Sequence, residues 1–130
     1  MFAQPENSQW HFGNGIGVSF LGASPEIVTS GIDTPFDVTP SCISNLAGDL
    51  VCYTEGSVVL NSNHEVVTNG EFSNLAAECM IVPNPELCNT YYVFRTGSWG
   101  VDYSIVDFNT SDDGVIAAGE KEISISAIPS

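Results

Sequence analysis

The chain has 130 residues, 43% of them hydrophobic, and sets sixteen Asp and Glu against only Arg95 and Lys121, a formal net charge of −14. That length holds one compact domain, and the apolar content is too high for a disordered acidic tail. So negative a chain excludes nucleic acid and anionic membrane surfaces as partners, because both are met with cations.

The first residues, Met1-Phe2-Ala3-Gln4, read either as an ordinary start or as a remnant of a secretory signal over residues 1–3, without the charged and apolar regions of such a signal. No later run is long and apolar enough to span a membrane, and no stretch shows a sustained 3.6-residue period. Short runs rich in Val, Ile, Phe and Tyr recur instead, separated by turn residues. The predicted strands are Gln9–Gly13, Gly17–Leu21, Glu26–Ser30, Ser41–Ser44, Asp49–Thr54, Val58–Asn61 and His64–Val67. They continue with Ala77–Val82, Thr90–Thr96, Tyr103–Phe108 and Glu122–Ala127. Asn45-Leu46-Ala47-Gly48-Asp49, Asn61-Ser62-Asn63-His64 and Pro83-Asn84-Pro85-Glu86 read as tight connections. In Ile123-Ser124-Ile125-Ser126 the alternation predicts Ile toward the core and Ser toward solvent. The fold class is all-β, with antiparallel sheets arranged as two or three propeller-like blades or, alternatively, as a closed β-sandwich. No linker divides the chain, so residues 1–130 read as a single domain.

Four cysteines, Cys42, Cys52, Cys79 and Cys88, contain no CxxC pair and no His at ligand spacing, which disfavours zinc. Disulfides suit a secreted chain better than free buried thiols. Three pairings are open. The preferred one joins Cys42 to Cys52 across a hairpin, leaving Cys79 with Cys88 at the base of a turn.

From Trp10 to about Phe108 the residues resemble propeller-like extracellular modules of type IX-secreted, PKD-containing surface proteins of Bacteroidetes-type bacteria. The likeness lies in Trp10-His11-Phe12-Gly13-Asn14, in Tyr53-Thr54-Glu55-Gly56, and in Leu60-Asn61-Ser62-Asn63-His64 followed by Asn69-Gly70. Ile81-Val82-Pro83, Tyr91-Tyr92-Val93-Phe94 and Tyr103-Ser104-Ile105-Val106-Asp107 extend it. Departures are Leu60 for the family's Trp, Cys52 for its Phe, and Ala76-Ala77-Glu78-Cys79 for its S-T-Q-S segment. Members run on for hundreds of residues, so this chain corresponds to opening blades. The resemblance implies cell-surface location and architectural motifs, and carries over no catalytic residues.

Chemical signals are sparse. Ser19 misses the G-x-S-x-G spacing, the Gly13–Gly17 segment lacks the Lys and helix start of a phosphate loop, and sixteen acids make a carboxylate pair uninformative. His64 reads as a turn residue bonding backbone, and His11 as surface or inter-sheet packing. The segment from Asn109 to Glu120 follows an EF-hand-like spacing, with Asn109, Ser111, Asp113 and Glu120 as candidate calcium ligands around Gly114. Its blander reading is a solvated acidic loop. Asn109-Thr110-Ser111 is also an N-glycosylation sequon. Trp99, in an open turn, is the candidate contact for a glycan or partner.

The sequence therefore predicts a secreted, non-enzymatic adhesion or interaction module without an obligatory cofactor. The rival reading is a structural subunit of an extracellular filament or sheath, and a glycan-active enzyme comes third. Expected partners are the protein itself, as a homo-oligomer or filament, or other surface proteins and glycans, with no membrane insertion.

Overall fold

A computed structural model describes residues 7–32 and 39–126. The expectation of a signal remnant at residues 1–3 and the last residue of the predicted final strand, Ala127, lie outside them. Among the described residues eleven strands form three antiparallel meanders, and each strand predicted from the sequence has a counterpart. The first sheet holds β1 (Gln9–His11), β2 (Ile16–Ser19) and β3 (Glu26–Thr29). The middle sheet holds β4 (Ser41–Ser44), β5 (Leu50–Thr54), β6 (Val58–Asn61) and β7 (Val66–Glu71). The third holds β8 (Glu78–Pro83), β9 (Thr90–Gly97), β10 (Gly100–Asp107) and β11 (Ile123–Ser126). No helix among the described residues is long and apolar enough to cross a membrane.

Side-chain alternation in the middle sheet explains the layering. Ile43, Cys52, Val59 and Val67 point to one face and join Ile81, Tyr91, Val93 and Val106 of the third sheet in the larger core. Cys42, Leu50, Tyr53, Val58 and Leu60 point the other way, into a smaller cluster with Ile32 beneath the first sheet. At the bulge opposite Ile43 and Ser44, Val51 and Cys52 both turn toward the third sheet, so one extra residue keeps each face apolar. The middle and third sheets thus pack as a sandwich, and the first sheet covers the middle one's far face. Neither core cluster joins the first sheet to the third, so the described residues form an open stack without closure into a ring.

First strands run side by side along one spine. The Cys42 thiol donates to the Gln9 carbonyl (3.0 Å), and the Ile81 amide donates to Ser41 Oγ (3.0 Å). At the opposite margin, the segment after β10 is a strap across two sheets. Val115 pairs with Asp107 of β10, while Thr68 of β7 accepts from the Ile116 amide (2.9 Å) and donates to the Gly114 carbonyl (3.1 Å).

The disulfide expectation is corrected: all four cysteines are free. Cys42 lies opposite Tyr53 and Cys52 opposite Ile43, so the two thiols emerge on opposite faces of the middle sheet. Cys79 aligns with Arg95, whereas Cys88 sits beyond the far end of the same hairpin, where Pro83 meets Tyr91. Four residues of extended strand separate Cys79 from Pro83, roughly 13 Å, far beyond the span a disulfide bridges.

Candidate functional site

Among the described residues Arg95 is the most heavily bonded buried side chain. It is 1% exposed and makes five hydrogen bonds, using every N–H of its guanidinium. Nε and Nη2 hold the two oxygens of Asp102 at 3.1 and 2.8 Å, and Nη2 also reaches Glu122 Oε1 at 2.9 Å. Nη1 donates to the carbonyls of Gly56 (3.1 Å) and Asn74 (2.8 Å), and the Phe72 ring lies 4.0 Å away. Burial works against the charge on Glu122, but the Ser73 amide and hydroxyl, Arg95 and Lys121 outweigh it and hold its carboxyl below the usual range. The network ties β9, β10 and the approach to β11 in the third sheet to loops of the middle sheet.

A second cluster lies between the first and middle sheets. The His11 ring is 3% exposed and stacks on Tyr53 with centroids 4.6 Å apart. Tyr53 Oη lies 2.8 Å from His64 Nδ1 and accepts the Gly31 amide proton at 2.8 Å. Three sequence segments, those of His11, Tyr53 and His64, therefore converge here. Of the two roles open to His11, surface or inter-sheet packing, it takes the second. His64 differs from expectation: its imidazole meets Tyr53, and Asn61 Oδ1 serves the turn by accepting from the amides of Asn63 and Glu65. A cleft of about 390 Å³ opens beside the cluster, bounded by His11, His64, Gln9, Asp49 and Ser62. Burial, with His64 adding to it, lowers the His11 pKa to about 4.

Outward sheet faces are unusual for a solvated surface. On the first sheet, Trp10, Val18 and Ile27 form one cross-strand row, with Trp10 in edge contact with Phe12 (6.5 Å) and Phe20 (5.6 Å). Ile27 is 83% exposed. On the third sheet, Met80, Phe94, Tyr103 and Ile123 form one row, and Val82, Tyr92 and Ile105 the next. Ile123 and Ile125 thus belong to this outward face and not to the core, against the expectation from their alternation with Ser; Ile125 is 55% exposed. No charged residue occupies these rows, although the chain carries sixteen acids. Comparisons with protein-family models, with curated proteins and with solved structures find no match. Function must be read from these surfaces themselves.

Two of the four candidate calcium ligands, Asn109 and Ser111, make local hydrogen bonds. Asn109 Nδ2 donates to the Cys88 carbonyl (2.8 Å), its Oδ1 accepts from Asn89 Nδ2 (3.3 Å), and Ser111 Oγ accepts the Asp113 amide proton (3.3 Å). Glu120 is exposed in a single 3₁₀ turn beyond the strap. No group of three or more His, Cys, Asp or Glu that could hold a metal occurs among the described residues. Gly114 does take a positive φ of 84°, but its contacts are the Phe108 ring and Val67, so it serves the strap. Asp107 caps the turn, accepting from the Asn109 amide (2.7 Å) and Thr110 Oγ1 (2.5 Å), and these bonds lower its pKa. The sequon residue Asn109 is exposed, with its amide nitrogen engaged as described.

Trp99 is not an open platform. It is half-buried, folds across Gly97 of its own hairpin, where a Cβ would collide with the ring, and lies 5.4 Å from the Arg95 guanidinium. Arg95 itself went unnoticed in the sequence. Its signal is that it follows Tyr91 and Val93 at the inward period of β9, in a chain with only two basic residues.

Proposed function

We propose that this chain is a non-enzymatic interaction module, secreted to the cell surface, that works through the two outward sheet faces, whose central rows are uncharged, at the ends of its stack. The carrying observation is the distribution of charge: acids cover the chain yet are missing from the central rows of both outward faces. An antiparallel sheet that faces water normally alternates apolar-in with polar-out. Faces that depart from this mark interaction surfaces. The partner that fits is another sheet. On the third sheet the rings of Tyr92 and Phe94 lie 27° apart while Tyr103 meets them at 64° and 44°, an uneven cluster that interdigitates with side chains better than it lies flat under a sugar. The resemblance to surface modules built from stacked blades supports the same reading.

A second copy is the occupant that continues the stack already present. Inside the chain, the middle sheet offers one face to the first sheet and the other to the third. A copy laid with its first sheet on the third sheet of its neighbour repeats that arrangement. Because the two faces lie at opposite ends, the contact is head-to-tail and need not close, which favours the filament-subunit reading. Light scattering over a wide concentration range tests this. The expected result is growth with concentration, stronger in salt that screens the net charge, and loss of growth in Ile27→Lys or Phe94→Lys. A wild-type monomer under all these conditions would overturn it.

A further inference from the structure

We propose that the contact between the first and middle sheets is an acid-sensitive latch, opened when His11 takes up a proton. This inference is independent of what covers the outward faces. His11 is enclosed between the two sheets, and neither of its ring nitrogens has a hydrogen-bond partner. A neutral imidazole that packs by stacking tolerates this position, whereas an imidazolium carries two N–H donors with nothing to receive them. The groups around it offer no counter-charge. Tyr53 of β5 presents its ring, His64 of the turn after β6 presents a second imidazole 6.1 Å away, and Cys42 of β4 has a thiol committed to Gln9. On its own sheet the inward neighbours are Gly17 and Val28. Asp49 lines the adjoining cleft but bonds to neither ring nitrogen.

The sign follows from linkage. The ordinary value of 6.5 is lowered to about 4 in the closed state, so an open state binds the proton first as pH falls. The closed contact is fully favoured above pH 6.5 and weakens steadily toward pH 4, by on the order of a hundredfold in the open-to-closed ratio. The larger core between the middle and third sheets holds neither histidine, so opening is confined to the first sheet. Proton uptake thus uncovers the face of the middle sheet that carries Cys42, Tyr53 and Leu60.

Native cysteines report this without engineered ones. Cys42 lies under the first sheet, while Cys52 lies in the core between the other two. Labelling with 4,4′-dithiodipyridine, which reacts with thiols in acid, is followed at both sites by mass spectrometry from neutral to mildly acid pH. The ratio of the two rates removes the common pH dependence of thiol chemistry. The ratio of Cys42 to Cys52 labelling is expected to rise at least tenfold toward pH 4 in the wild type and to stay flat in His11→Phe, which keeps the stacking and cannot titrate. Should His11→Phe fail to fold, His11→Gln takes its place. A flat ratio in the wild type, an equal rise in the variant, or simultaneous exposure of both thiols would each overturn the latch.

Discussion

Removing one partner of the Arg95–Asp102 pair should cost a large share of the protein's stability. Five hydrogen bonds hold a guanidinium that is 1% exposed, and two of them, at 2.8 and 3.1 Å, form a bidentate grip on Asp102. Truncation of one member of a buried pair leaves the other charge without compensation, at about 3–5 kcal/mol. Asp102→Asn should fall at the lower end, near ~3 kcal/mol, because Glu122 still faces the guanidinium at 2.9 Å. Arg95→Met should fall at the upper end, since it strands Asp102 and also deprives Gly56 and Asn74 of donors. A domain of this size is stable by roughly 5–15 kcal/mol, so either change should bring unfolding close to working conditions. The double variant carries no stranded charge at this pair and should lose less than the sum of the singles, by about 2 kcal/mol. Urea unfolding at neutral pH followed by circular dichroism measures all three. An Arg95→Met loss below about 1 kcal/mol, or additivity within about 0.5 kcal/mol, would refute the reasoning.

Other expectations follow from the same geometry. Peptide mapping without reduction should find four alkylatable thiols, with exposed Cys88 reacting first and Cys52 last, because burial pushes the Cys52 thiol far up and that of Cys79 to about 12; a Cys42–Cys52 link would contradict the strand register. Gly97→Ala should expel the Trp99 ring and red-shift its fluorescence, since the new methyl group occupies the ring's position. Tyr53→Phe removes the acceptor for the Gly31 amide and the partner of His64, and should cost about 1–3 kcal/mol in urea unfolding. Calcium titration calorimetry should give no heat from the segment between Asn109 and Glu120, because Asn109 and Ser111 are engaged in local hydrogen bonds and no group of three or more His, Cys, Asp or Glu gathers there among the described residues; a saturable signal lost in Asp113→Asn would reverse that assignment.

Strand existence was legible because turns are strongly marked: Asn45 Oδ1 and Asn61 Oδ1 each accept two backbone amides, as Asn in tight turns does. Sheet composition followed from strand order, since consecutive antiparallel strands pair as meanders. The facing of strands was less legible. Ile123 and Ile125 alternate with Ser as a half-buried strand would, yet periodicity names two faces without saying which one is covered. The cysteines misled for a related reason. A regular hairpin would set Cys42 opposite Cys52, but the bulge at Val51 shifts the register and sends the thiols to opposite faces. The loop from Asn109 matched a ligand spacing that, with strands on both sides, serves a strap. His11, Tyr53 and His64 were each visible as motif residues, whereas their meeting depends on two sheets stacking, which no local pattern encodes.

Mixing two single-face variants tests the head-to-tail account most directly. Ile27→Lys blocks the first-sheet face and leaves the third intact, and Phe94→Lys does the reverse. Sedimentation velocity should show each variant monomeric alone and a one-to-one dimer when the two are combined, because one intact face of each kind is then available. Variants that stay monomeric on mixing, or that dimerise unmixed, would contradict it.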